Sequence, residues 1–333
     1  MTGLVDSFRR RIDYMRISVT DRCDLRCVYC SDPSAAPLPH GDVLSYEEIE
    51  RIVTAAAHLG VTKLRLTGGE PLVRVGLSGL IRLLVAVDGV TEVSMTTNGT
   101  RLAGYAGELK AAGLKRVNVS LDSLKAERFR EITGGDRLDA VLRGIDAARE
   151  AGLEPVKVNM VVLRGINDDE VLDFAARTVS HGWHVRFIEH MPFVTPAEVP
   201  DALDGAVGLV SVKEIIERIE ASLGKLEPHV PASGNGPATY FRLPSAPGTL
   251  GFIGAVTDCF CTDCNRFRLT ADGHLRPCLL EDDEIDLKGP LRRGASLEEL
   301  EGLMLGAATM KREQHRLADN YVPGKRQMRQ IGG

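Results

Sequence analysis

From about residue 15 to residue 188 the chain alternates short β-rich runs with stretches of helical period. The runs MRISVT (15–20), TKLRLT (62–67), EVSMTT (92–97), KRVNVSL (115–121), PVKVNMVV (155–162) and WHVRFIE (183–189) predict strands. Helices are expected between them. The first opens on Ser45 and Glu48 as a capping box, keeps Ile49, Ile52, Val53, Ala56 and Leu59 on one face, and stops at Gly60. Leu138, Val141, Leu142, Ile145 and Ala148 repeat that pattern ahead of Gly152. Strands alternating with helices in this way imply parallel β/α units.

The strand runs also say how the sheet is shaped. Strands of a parallel sheet covered on both faces read as nearly continuous apolar runs. Here one alternate set is apolar (Ile17 and Val19, Leu64 and Leu66, Val117 and Val119, Val156, Val158 and Met160). The other set is polar or basic: Arg16 and Ser18, Lys63 and Arg65, Ser94 and Thr96, Asn118 and Ser120, Lys157 and Asn159, His184 and Arg186. Period-2 geometry puts each set on its own face. An α/β unit exposes a polar sheet face only where the sheet curls around something, so the expectation is α/β, a partial (β/α)6 TIM-type barrel with a wet, cationic lumen.

After residue 190 the rhythm changes. A Pro/Gly/Ala-rich stretch leads to a capped helix, SVKEIIERIEAS, then to the strand-like runs YFRL and TLGFIG. A hairpin, RFRLT-ADG-HLRPCL, turns on an Asp-Gly step, and a helix starts near Ser296 with Glu299 as its capping partner. Two regions are expected, 1–190 as the barrel and 191–333 as a C-terminal region covering its mouth.

Composition narrows the function classes. An apolar fraction of 44% and a charged fraction of 26% over 333 residues belong to a globular protein. A net charge of −5 argues against non-specific nucleic-acid binding, so basic clusters read as local sites for a small anion. The arginine run in SFRRRIDYM precedes no apolar stretch, and no segment reaches membrane-spanning length without charges. A cytoplasmic protein with no membrane or nucleic-acid partner is the expectation, and free clustered cysteines suit that reducing compartment.

Six of the seven cysteines fall into two tight triplets, Cys23, Cys27 and Cys30 in CxxxCxxC, and Cys261, Cys264 and Cys278 in C-x2-C-x13-C. Three thiolates are one short of a closed tetrahedral shell, which leaves a metal position open for chemistry. The first spacing, with Tyr29 before the last Cys, is the radical S-adenosylmethionine (SAM) signature, in which the fourth iron of a 4Fe–4S cube takes SAM. A zinc site completed by a distant His would instead pair its cysteines in twos. The second triplet, with Cys259 as a fourth thiol, would equally suit a structural zinc ribbon.

Taken together, the motifs resemble the MoaA family, radical SAM enzymes that act as GTP 3′,8-cyclases at the start of molybdenum cofactor biosynthesis. The resemblance rests on YMRISVTDRCDLRCVYC, LRLTGGEPL, MTTNGT, VSLDSL, KVNMVV, RFIEHMP, FCTDCNRFRLTADGHLRPCL and the terminal Gly332-Gly333, and covers essentially the whole chain. It implies two 4Fe–4S clusters, one on each cysteine triplet, the first cleaving SAM and the second anchoring the guanine of GTP. It implies SAM contacts at Tyr29, Gly69, Ser120 and Met191. At Gly69 a side chain would crowd the approach of the SAM amino group. GTP contacts are implied at Arg16, Arg65, Thr96, Lys157, Arg186, Arg266 and Arg268, of which the first five are polar-face residues of the strands. Guanidinium forks suit phosphate oxygens. It further implies an electron donor, a downstream enzyme that forms the cyclic pyranopterin, and a catalytic role for Gly332 and Gly333 in the active site, and it leaves a homodimer open. The chain departs from the family in Ser31-Asp32-Pro33 after Cys30, in the extra Cys259, and in the poorly matched stretch after Met191. Two competing readings are a peptide-maturing radical SAM enzyme, which would need a peptide groove, and a non-enzymatic zinc-ribbon protein.

Overall fold

Strands β1 (Tyr14–Ser18), β2 (Lys63–Thr67), β3 (Glu92–Thr97), β4 (Arg116–Ser120), β5 (Lys157–Val162) and β6 (His184–Glu189) pair in parallel, in chain order. They come from a computed structural model that describes residues 3–30, 36–191, 208–230, 236–319 and 321–332. Gly333, the Ser31-Asp32-Pro33 step and the Pro/Ala-rich residues 192–207 lie outside the described residues. Helices α1 (Tyr46–His58), α2 (Leu77–Val85), α3 (Leu102–Ala111), α4 (Ala126–Thr133), α5 (Leu138–Glu150) and α6 (Val171–Ser180) connect the strands.

Local chemistry sets the helix ends. The Ser45 hydroxyl accepts from the Glu48 N–H at 3.1 Å, and the Glu48 carboxylate accepts from the Ser45 N–H at 2.8 Å. Ile49, Ile52 and Val53 of α1 and Val141 and Ile145 of α5 share one buried core with Leu64, Leu66, Val117, Val119, Val158 and Met160 of the strands. Each such side chain contributes about 1.5–3 kcal/mol by leaving water.

The C-terminal region does more than cover the barrel mouth. Its short strands β9 (Thr249–Ile253) and β10 (Arg266–Leu269) pair in parallel with β6 and β1, extending both edges of the sheet. Antiparallel β7 (Glu227–Pro228) and β8 (Thr239–Arg242) continue one edge, and β11 (His274–Arg276) and β12 (Ile285–Asp286) the other. Helices α7 (Val212–Leu223), α8 (Lys288–Arg292), α9 (Leu297–Thr309) and the short α10 (Met328–Ile331) complete the chain. One cavity touches Arg268 of β10 together with Arg16, Arg65, Thr96, Asn118, Lys157 and Arg186 of β1 to β6. Strands this far apart in order line one space only because the sheet curls. No helix among the described residues is long and apolar enough to cross a membrane.

Candidate active site

The cavity measures about 280 Å³ and is lined by all six cysteines of the two triplets. Strand register separates them. Cys23, Cys27 and Cys30 follow the C-terminal end of β1, whereas Cys264 precedes Arg266, the β10 residue aligned with Tyr14 at the start of β1. Because β11 runs antiparallel to β10, Cys278 returns to the Cys264 end. The polar strand residues lie between the two triplets.

All seven cysteines are free thiols. Around the first triplet, burial lifts Cys23 to about 11 and Cys30 to about 12, and pushes Cys27 well up. Asp24, Glu70 and Asp122 add to the lift. Only a bound cation would hold three such neighbours as thiolates, which fits an iron–sulfur group with thiolate ligands. Tyr29 donates its hydroxyl proton to Asp122 at 2.5 Å and meets His190 edge-on at 6.4 Å between ring centres. Burial, ahead of the opposing Tyr29 bond, brings the Asp122 carboxyl up to about 6.

Gly69 lines the cavity, but the reason for glycine there differs from the sequence expectation. A Cβ would sit 2.4 Å from the Arg22 carbonyl and 2.9 Å from that of Asp21, colliding with the loop that carries the first cysteines rather than with a ligand. The Gly69 N–H donates to the Thr20 carbonyl at 2.7 Å, which leaves its carbonyl as the group able to receive an ammonium. Ser120 and Met191 line the same cavity, with Met191 packed beside Leu280 and Ile331.

At the second triplet, burial raises Cys278 and brings Cys261 to about 12, whereas Cys264 falls to about 6. Burial acts upward on Cys264 too, but the charges of Arg266 and Lys311 outweigh it. Cys259 does not line this cavity; it faces a separate pocket with Asp258, Thr262 and Asp263. Its sulfur, that of Cys261 and a ring nitrogen of His315 come within 4.8 Å of one another. His315 Nε2 lies 3.0 Å from the Ala255 carbonyl and Nδ1 3.4 Å from the Leu317 N–H.

Between the triplets the register aligns Arg268, Arg16 and Arg65 directly across three neighbouring strands. Like charges facing across a sheet repel. Burial, then the Arg268 charge, pushes Arg16 far down, and burial brings Arg65 and Arg268 to about 10. Lys157, held at 3.0 Å by the Tyr240 hydroxyl, is lowered by burial to about 8. Among the described residues no carboxylate pairs with Arg65, Lys157, Arg186, Arg266 or Arg268. Arg186 donates to Asn159 at 2.8 Å, and Arg266 stacks over Phe260 at 4.8 Å rather than pairing with Asp263. Asp272 receives Arg326, not Arg268. Arg65 Nε, Thr96 Oγ1 and Asn118 Oδ1 are buried with no hydrogen-bond partner, a pattern that signals a ligand.

The tail enters this space. Arg16 Nε donates to the Gly332 carbonyl at 3.1 Å, and Arg268 donates to it at 2.8 Å. Gly332 is left-handed (φ +67°), and a Cβ there would lie 2.5 Å from Thr67 Cγ2. Ile331 anchors the segment against Leu280, and Arg326 pairs with Glu284 at 2.7 Å and Asp272 at 3.0 Å. Asp272 lies in the β10–β11 turn and Glu284 in the β11–β12 connection that carries Cys278.

The sequence analysis did not single out some lining residues. Tyr14 and Arg116 share the alternate faces of Arg16 and Asn118, so periodicity could have found them. Tyr240 sits on β8, a strand of four residues with no readable pattern.

The profile of the Radical SAM superfamily matches residues 17–177, and that of Molybdenum Cofactor Synthesis C matches residues 183–317. The GTP 3′,8-cyclase of Pelotomaculum thermopropionicum is 49% identical over 330 residues, covering 98% of this chain and 99% of that protein. The GTP 3′,8-cyclase of Moorella thermoacetica is 48% identical over 329 residues, covering 98% and 99%. Among solved structures, Streptococcus suis SuiB bound to S-adenosylmethionine has a TM-score of 0.59 at 14% identity, over 80% of this chain and 60% of that one, a likeness of fold alone.

Proposed function

The chain belongs to the GTP 3′,8-cyclase family of radical SAM enzymes, and from that premise we propose how its own residues divide the reaction. The enzyme converts GTP to 3′,8-cyclo-7,8-dihydroguanosine 5′-triphosphate, the first step of molybdenum cofactor biosynthesis, with two 4Fe–4S clusters and SAM. When bound, the first cluster with SAM supplies one-electron hydrogen abstraction from the ribose, and the second supplies an open iron for the guanine.

Cys23, Cys27 and Cys30 hold the first cluster, and Cys261, Cys264 and Cys278 the second. Tyr29, Gly69, Ser120 and Met191 surround SAM, with the Gly69 carbonyl receiving its ammonium. Arg16, Arg65, Thr96, Lys157, Arg186, Arg266 and Arg268 bind GTP. The observation that supports this most is the in-register row Arg268, Arg16, Arg65, three guanidiniums lining one cavity, an arrangement that suits the phosphate oxygens of a polyanion. Gly332 holds Arg16 and Arg268 in a common orientation through one carbonyl, and the catalytic role is assigned to it together with Gly333. Residues 1–190 thus carry the first cluster and five of the seven GTP contacts, and 191–333 carry the second cluster, Arg266, Arg268 and the tail. An external one-electron donor, a downstream enzyme that consumes the cyclised nucleotide, and a reducing cytoplasmic setting complete the reading.

Arg268→Ala tests the assignment. Truncating one charged partner of a desolvated pair costs about 2–5 kcal/mol. Calorimetry on the anaerobic protein should show GTP losing more affinity than guanosine, with iron content unchanged. Equal losses for both ligands would refute a phosphate contact.

A further inference from the structure

Lys311 follows the end of α9 and is 3% exposed. A lysine is almost never buried so completely without a counter-charge. Among the described residues no carboxylate pairs with it. Its ammonium reaches the Pro277 carbonyl at 2.7 Å, the Cys264 sulfur at 3.3 Å and the Arg266 carbonyl at 3.4 Å. Three protons thus meet three acceptors, all on the two segments that carry the second cysteine triplet. Pro277 precedes Cys278, and Arg266 lies two residues after Cys264, so one cation ties both halves of that ligand set together.

The placement is rigid. Arg10, itself buried, donates to the Cys261 carbonyl at 2.6 Å, to the Glu313 carbonyl at 2.8 Å and to the Arg312 carbonyl at 2.5 Å. Asp6 holds the remaining edge of that guanidinium at 2.5 Å. The N-terminal arm therefore staples the segment just after Lys311 to the second triplet. The first triplet has different surroundings, with the carboxylates of Asp24, Glu70 and Asp122 near its sulfurs and Arg329 beside Cys30.

We propose that Lys311 is a positioning residue for the second cluster, whose buried ammonium ties the Cys264 and Cys278 segments together and raises that cluster's reduction potential. An added electron makes the cluster more negative, and a cation held at a ligand sulfur in a low-dielectric interior stabilises the reduced form more than the oxidised one. The proposal rests on the reading that Cys261, Cys264 and Cys278 carry a cluster.

The test is a potentiometric titration of the anaerobic holoenzyme, followed by electron paramagnetic resonance, for the unsubstituted protein, Lys311→Met and Lys311→Arg. Lys311→Met should move the midpoint of the second cluster to more negative potential and leave the first unmoved, while Lys311→Arg should stay near the unsubstituted value. Unmoved midpoints in Lys311→Met, or equal shifts of both clusters, would overturn the proposal. If Lys311→Met assembles only the first cluster, Lys311→Arg decides: retention of about eight irons supports a charge role, and loss of the second cluster there as well refutes it. About four irons in the unsubstituted protein would instead refute the second cluster itself, which separates that failure from failure of the Lys311 role.

Discussion

Gly332→Ala is the sharpest probe of the docked tail. The residue sits at φ +67°, where an L side chain costs about 1–2 kcal/mol relative to glycine. The new methyl would lie 2.5 Å from Thr67 Cγ2 on β2, inside any real carbon–carbon contact, and such overpacking adds about 1–3 kcal/mol. Together these oppose docking by about 2–5 kcal/mol, so even the low end lowers the docking equilibrium about thirtyfold. The two guanidinium hydrogen bonds to the Gly332 carbonyl contribute about 1.5–3 kcal/mol each, so the tail has no large reserve with which to absorb the penalty. Cyclised nucleotide formed from GTP under reducing anaerobic conditions is the assay, with iron content and GTP affinity as controls. Turnover should drop by at least about tenfold while both controls hold. Thr67→Ser removes the opposing methyl and keeps the hydroxyl, so in the double variant it should restore the steric part of the loss and leave the backbone part. Normal turnover in Gly332→Ala, or no recovery in the double variant, would refute the docking argument.

Lys157 gives a pH signature. Burial brings it down to about 8, with Arg186 and Arg116 acting in the same direction and Tyr240 against them. The charged ammonium is the form that meets phosphate, and phosphate raises its pKa, so GTP affinity is full below about pH 8 and falls as pH rises through that value. Calorimetry across this range should show the fall, and a Lys157→Gln protein with the same slope would sink the assignment. Cys259 lines a separate pocket and not the main cavity, so Cys259→Ser should keep full iron content and cyclase activity. Loss of about half the iron would mean a closed four-thiolate site.

The sequence by itself determined whatever depends on short-range spacing. Period-2 alternation placed Arg16, Arg65, Thr96, Lys157 and Arg186 on the lumen face, because a strand turns every second side chain the same way. CxxxCxxC brought three thiols to one loop, and the Ser45–Glu48 and Ser296–Glu299 boxes marked two helix starts. Tertiary structure alone decided the contacts made across long stretches of chain. Arg16 meets Gly332 only because β10 returns to pair with β1, which puts Arg268 beside Arg16 and gives the tail carbonyl two donors. Strands as short as β8 and β10 carry too few residues to show where they join the sheet, so their places beyond β6 and β1, and with them Tyr240, were not legible. Lys311 reads in sequence as an ordinary helix-end cation, and its burial against Cys264 follows from the packing of three segments distant along the chain. Gly69 shows the limit from the other side: the motif marked the residue, but only the folded loop showed that the Arg22 carbonyl is what excludes a side chain.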